Sequence, residues 1–249
     1  MHVYIYDNFL NEGKYTRILA QIEARITDLG LNGKIGRLGV MKKTNELVRD
    51  EIKRGAKTII AVGNDDTIEK IVRCMANSSV PLGIIPVGKK NNYIAESLGI
   101  EPEVASCDIL SARRVEKMDL GMIGNFYFLS KLTTASEDLN LEIDSGYSVE
   151  LKKPGSIRVI NLATSDIALP QGVNFSPQDG SLQLLLETRK PKKVIFSENN
   201  FESVFTFKRA GLRSKNPIIF NDFLKVTGNI DIMAAHGALN VIVGKDRSF

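Results

Sequence analysis

Apolar runs and helical stripes alternate four times in the first hundred residues. "HVYIY" (2–6) reads as a buried strand, and Tyr15, Ile18, Leu19, Ile22, Ile26 and Leu29 then share one face of a helix. "KIGRL" is the second strand. Thr44 can cap a helix that carries Leu47, Val48 and Ile52 and stops at Gly55. "TIIAV" (58–62) is wholly apolar, as strands covered on both faces are. Ile68, Ile71, Val72 and Met75 mark the next helix, closed by Asn77-Ser78-Ser79. "LGIIPV" (82–87) and "NNYIAESLG", with Gly99 just past the helix end, complete the fourth unit. Such alternation predicts a Rossmann-like parallel sheet with helices on both faces.

The texture changes after about residue 112. Two extended runs flank Gly124-Asn125, a two-residue hairpin signal. "GSIRVINLA", "SLQLLLET", "SVFTFKR" and "ALNVIVG" follow as short strands between turn residues, the spacing of a β-sandwich. The expected organisation is α/β over 1–112 and all-β over 113–249.

Composition narrows the function classes. The chain has 249 residues, 43% of them hydrophobic and 25% charged, enough for one large domain or two small ones. Cys74 and Cys107 form no metal-ligand or disulfide pattern, and His2 and His236 are far apart. No signal peptide pattern and no apolar run of about 20 residues appears, so a cytoplasmic protein without a transmembrane segment is expected. The charge of +4 lies in small groups such as Lys42-Lys43 and Lys192-Lys193. These read as solvated loop ends or as a weakly basic face that favours nucleotide phosphate or peripheral contact with anionic lipid. No aromatic-interleaved basic motif supports nucleic-acid binding.

The candidate chemistry lies where strands end. Gly63-Asn64-Asp65-Asp66-Thr67 leads from the third strand into a helix, and Gly88-Lys89-Lys90-Asn91-Asn92 leads from the fourth. Ligands of open parallel sheets bind at such ends, where a glycine allows close approach and a helix N-terminus offers N–H groups. "GNDDTIEKIVRCMANSSVPLGIIPVGKKNNYIAESLGI" (63–100) resembles the diacylglycerol kinase catalytic-domain family, whose pattern is G-G-D-G-T, then P-L-G-I-I-P-x-G-T-x-N-D and L-G-I. "MDLGMIGNFYFL", "NFSPQDGSLQLLL" and "HGALNVIVG" are similar to later stretches of that family. The resemblance implies an α/β domain followed by a β-sandwich, ATP and Mg2+ as cofactors, and a lipid hydroxyl as acceptor. It implies Asp65 as catalytic residue and Gly63, Asn64, Asp66, Thr67, Gly88, Lys89 and Asn91 as nucleotide contacts, with no metal ligands assigned.

The departures are equally definite. Asn64 and Asp66 stand where the family has glycine, Lys89 replaces threonine, and Asn92 replaces aspartate. The family's Asp-Gly-Glu turn has its counterpart in Asn221-Asp222-Phe223, and "YDNFLNEGKY" takes the place of its asparagine-proline phosphate loop. "SKLTTASEDLNLEID" stands for a longer family segment near the lipid site. An ionised Asp66 about 5 Å from a phosphate costs about 3 kcal/mol at an effective dielectric near 20. Lys89 offsets that charge, either by closing the pocket or by contacting phosphate while Asp65 and Asp66 hold a cation. The expectation is a diverged lipid kinase with reduced or lost activity. The alternatives are an NAD-kinase-like phosphotransferase and a non-enzymatic nucleotide-binding or scaffold protein that keeps the fold for a partner or a homodimer contact.

Overall fold

The computed structural model describes residues 1–38, 44–88, 90–136, 139–144, 146–151, 155–169, 175–188, 201–214 and 216–249. The chain forms two compact units that are not consecutive stretches. The first gathers residues 1–118, 164–167 and 237–249, the second residues 119–163 and 168–236. A single cut between 112 and 113 is simpler than this, because the C-terminal segment falls with the first unit.

The first unit holds β1 (His2–Tyr6), α1 (Thr16–Asp28), β2 (Gly33–Arg37), α2 (Thr44–Lys53), β3 (Thr58–Gly63), α3 (Asp65–Met75), β4 (Leu82–Pro86), α4 (Tyr93–Ser97) and α5 (Ser106–Ala112). The strands pair in parallel in the order β2-β1-β3-β4. Alternation in β1, β3 and β4 sends Tyr4, Tyr6, Ile60, Val62 and Ile85 to one face. There they pack with Leu19, Ile22 and Ile26 of α1 and Cys107 and Leu110 of α5. Val3, Ile5, Ile59, Ala61 and Ile84 are buried too, and their alternate positions place them on the other face. Helix α3 packs on β3 and on α2. All six residues of β3 are buried, as its unbroken apolar run requires. Gly83 is needed here because a Cβ would press on the Ile60 and Leu110 side chains.

Strand β5 (Val115–Ile123) carries the chain into the second unit. There follow β6 (Phe126–Phe128), β7 (Lys131–Ser136), β8 (Leu139–Ile143), β9 (Tyr147–Leu151), β10 (Gly155–Ile160), β11 (Leu182–Thr188), β12 (Phe201–Phe207), β13 (Arg209–Arg213), β14 (Ile218–Phe220), β15 (Leu224–Val226) and β16 (Ile230–Ile242), the last of which ends in the first unit. Ile123 pairs with Phe126 across Gly124-Asn125, with Gly124 in the left-handed region at φ +56, so the two-residue hairpin forms as its sequence predicts. One antiparallel sheet runs β12-β11-β10-β7, while β13 pairs with β16 and β8, and β8 with β9. Side chains from both sets, among them Leu132, Val159, Leu184 and Phe207 with Leu141, Ile143, Leu212 and Ile232, meet in one hydrophobic cluster. The fold is thus a parallel α/β unit followed by antiparallel β-structure. The segment "SKLTTASEDLNLEID" supplies β7 and β8 rather than a bare loop.

Candidate functional site

The turn after β3 is built from side chains that satisfy one another. Asn64 caps α3: its Oδ1 accepts from Thr67 N at 3.2 Å while Thr67 Oγ1 accepts from Asn64 N at 3.3 Å, a reciprocal capping box. The Thr67 hydroxyl then donates to Asp7 Oδ2 at 2.7 Å, just past the end of β1. Lys70 Nζ lies 3.8 Å from the same oxygen. Gly63 is required by close approach, since a Cβ there would sit 2.9 Å from Thr67 Cβ. Asp65 N donates to Asn91 O at 2.8 Å, and Ile68 N to Asn64 O at 3.0 Å. Of the four N–H groups at the start of α3 that lack a partner within the helix's backbone ladder, those of Asn64, Asp65 and Thr67 are therefore already taken.

The second helix N-terminus is filled in the same way. Asp65 Oδ2 accepts from Tyr93 N at 2.9 Å and Oδ1 from Ile94 N at 3.1 Å, so a carboxylate occupies the start of α4. Burial pushes this carboxyl up to about 7 against the pull of those two N–H groups, and the negative charges of Asp166 and Glu69 add to the rise. Asn91 adopts φ +59 and Gly88 φ +101, the left-handed backbone that the β4–α4 turn demands. Asn92 Nδ2 donates to Gly88 O at 2.6 Å and ties the turn's ends together. Asp66 is exposed. Lys89, the expected partner of Asp66, lies outside the described residues.

A cavity of about 770 Å³ adjoins the second turn. Gly88, Lys90 and Asn91 line it, together with the carboxylates of Glu96, Glu101, Glu103 and Asp246. Gly63, Asn64, Asp65, Asp66 and Thr67 do not line it. The two turns predicted to share a ligand are thus joined by Asp65 itself, but only the second opens on this cavity. Its carboxylate-rich wall is an unfavourable setting for a triphosphate.

The second unit contains a polar centre that inspection of single motifs did not single out. Asp119, in "MDLG", has a side chain only 1% exposed. Its Oδ2 accepts from Gly180 N at 2.6 Å, and its Oδ1 stands 2.8 Å from His236 Nδ1. Its backbone N–H donates to Pro177 O at 2.7 Å, and Asn161 Nδ2 donates to its carbonyl at 2.9 Å. Gly180 has φ +74, and Asp179 braces the turn by accepting from Ser181 N and Oγ. The three later stretches that resemble the lipid kinase family, "MDLG…", "…PQDGSL…" and "HGAL…", therefore converge on one carboxylate.

The diacylglycerol kinase catalytic domain model matches residues 3–123. That segment, just under half of the chain, is similar to the diacylglycerol kinase catalytic domain. A protein of Alcanivorax borkumensis named "Probable lipid kinase YegS-like" is 33% identical over 109 residues, 43% of this chain and 35% of its own length. A "Diacylglycerol kinase" of Mycobacterium tuberculosis is 30% identical over 78 residues, 31% of this chain and 25% of its own length. These matches span about a third or less of the relatives. Crystal structures of a diacylglycerol kinase and of a putative one from Bacillus anthracis superpose with TM-scores of 0.78 and 0.76 at 16% and 15% identity. Each superposition covers 98% of this chain and 97% of the other, a likeness of fold.

Against the diacylglycerol kinase pattern, the altered positions have definite structural roles. Asn64, in place of glycine, is the α3 cap. Asn221, in the turn expected as the counterpart of Asp-Gly-Glu, accepts from Thr133 N at 2.7 Å through Oδ1 and donates to Lys131 O at 3.3 Å, fastening the β14–β15 hairpin to β7. Asn221 and Asp222 both have left-handed backbone, with φ of 48° and 62°. Both Asp65 oxygens are spent on backbone N–H groups, and among the described residues no group of three or more His, Cys, Asp or Glu converges as metal ligands do. No helix among the described residues is long and apolar enough to cross a membrane.

Proposed function

We propose that this protein is a diverged lipid kinase that transfers the γ-phosphate of ATP to a lipid hydroxyl slowly and binds the nucleotide weakly. The observation that carries the reading is the convergence of three family-like stretches on Asp119 in the second unit, a polar centre that a mere scaffold does not need. The weak nucleotide affinity follows from the first unit. An incoming phosphate at α3 or α4 must displace the Asn64 cap or the Asp65 carboxylate, each worth about 1 kcal/mol as a helix cap. Phosphoryl transfer depends on positioning and charge neutralisation, so displaced donors slow it directly. Magnesium, in this reading, arrives bound to the nucleotide, and no step is assigned to a protein-held ion.

A second reading, a non-enzymatic binding protein on the same fold, is favoured by Asn221, whose side chain has become a structural brace where the family has a carboxylate turn. The deciding experiment is transfer of label from γ-labelled ATP with magnesium to diacylglycerol in mixed micelles, with NAD as a parallel acceptor. Slow labelling of the lipid and none of NAD is expected. Labelled NAD would redirect the assignment to an NAD-kinase-like activity, and no labelled product with any hydroxyl lipid would favour the second reading.

A further inference from the structure

All the described residues that line the cavity beside the second turn, about 770 Å³ in volume, belong to the first unit. Among them the ionic side chains are four carboxylates, Glu96, Glu101, Glu103 and Asp246, against one lysine, Lys90. The chain as a whole carries +4, so this wall is a local reversal of sign and not part of a generally acidic surface. Separate segments bring the carboxylates together. Glu96 comes from α4, Glu101 and Glu103 from the stretch that follows it, and Asp246 from the C-terminal segment. That last segment is clasped to the end of α4: Gly244 N donates to Leu98 O at 2.9 Å and Ser248 N to Ser97 O at 3.0 Å. Glu96 Oε2 accepts from Ser165 Oγ at 2.7 Å. Asn92 lines the cavity too, and its Oδ1 is buried with no hydrogen-bond partner among the described residues, while its Nδ2 is spent on Gly88 O. What this wall leaves unmatched is acceptor capacity, which a hydrogen-bond donor satisfies.

A phosphate or a nucleotide meets the wrong sign here. A single metal ion does not suit the wall either, since among the described residues no three His, Cys, Asp or Glu side chains come together as ligands. Carboxylates too far apart to share one ion call for positive charges spaced along a chain. The apolar part of the lining, Pro86, Tyr93, Ile100 and Pro102, calls for methylenes beside those charges. Tyr93, 36% exposed, adds an aromatic ring that favours a cation. The volume falls within the range of small-molecule sites, about 300–1,000 Å³. We propose that this cavity binds an aliphatic polyamine, with its ammonium groups at Glu101, Glu103 and Asp246 and its methylenes against Tyr93 and Pro102. The proposal goes beyond the lipid kinase reading and does not rest on it.

The test is isothermal titration calorimetry of the full chain with spermidine at about 0.15 M salt, where exposed charges more than about 8 Å apart are largely screened. Saturable one-to-one binding is expected. Glu101→Gln/Glu103→Gln should weaken it about 10-fold, the loss of two partly exposed ion pairs, and Asp246→Asn about 3-fold. Tyr93→Ala should weaken it about 3-fold. Asp222→Asn, which removes a carboxylate from the second unit, should leave the affinity unchanged, and equimolar Mg2+ should not displace the polyamine. Melting curves that match the wild type establish that each variant is folded. No saturable binding at millimolar spermidine overturns the proposal. Wild-type affinity in both Glu101→Gln/Glu103→Gln and Asp246→Asn, or displacement by equimolar Mg2+, overturns it as well. So does capture of an oligolysine peptide by a chain that ignores spermidine, which would make the cavity a peptide site. The titration reads no phosphoryl transfer, so failure of the kinase reading leaves its result intact.

Discussion

Asp65, just past the end of β3, and Asp119, in the middle of β5, are both carboxylates that accept backbone N–H groups. Their outcomes differ. Asp65 spends both oxygens on Tyr93 and Ile94, so it ends in the protein's own backbone and closes the start of α4. Asp119 spends one oxygen on Gly180 and turns the other to an exposed imidazole, so it ends at solvent. The same chemical group thus seals one site and opens another, and what decides between them is the second partner. A helix N-terminus that is already satisfied offers an anion little, whereas an imidazole with a free face keeps its chemistry available.

The comparison can be broken at either carboxylate. Asp119→Ala should cost the most, about 3 kcal/mol in urea denaturation, because it strands the buried Gly180 N–H and frees His236. Gly63→Ala should cost about 2 kcal/mol by the same measurement, since its Cβ must push the buried Thr67 off Asp7. Asp65→Ala should cost only about 1 kcal/mol near pH 6, the value of a lost cap on the short helix α4.

A pH dependence tests the same carboxyl from another side. The folded Asp65 carboxyl titrates at about 7, above its ordinary 3.8, so the folded state holds the proton more tightly than the unfolded chain does. The stability this contributes is complete below about pH 4 and is lost as pH rises through about 7. Stability of the wild type minus that of Asp65→Asn should therefore fall between those limits and level off above about pH 8. A flat difference curve would mean that the two N–H groups, not burial, govern this carboxyl.

Much of the first unit is legible in its sequence because period and length agree there. β3 is six buried residues around the apolar run Ile59–Val62. α3 has both a buried stripe and a capping box written as Asn64 and Thr67. Helix α5 escaped notice because its seven residues bury only Ser106, Cys107 and Leu110, too few to declare a period. Strands β8 and β9 lie in polar text where alternation is short, and the pairing of β8 with β13 is a long-range choice that local pattern does not encode. The turns at Gly63 and Gly88 were readable as a site, yet not that Asp65 bridges them, since that needs the position of α4. Asp119 and His236 lie in stretches that read as strands and as family-like text, with no role for either side chain. Nothing local signals that β5 and β16 bring them to one point. The signal available was indirect: three family-like stretches outside the first unit still lacked a common purpose.

The central claim is that the phosphate-binding turn is filled by the chain's own side chains, and one measurement tests it most directly. Thermal shift with Mg·ATP would be recorded for the wild type and for Asn64→Gly/Asp66→Gly, which restores the family's glycines. The account predicts little shift in the wild type and a clear one in the double variant, where ligand at 100 times Kd stabilises by about 2.7 kcal/mol. A wild-type shift as large as the variant's would contradict it, because the Asn64 cap and the Asp65 bridge would then be no obstacle to phosphate.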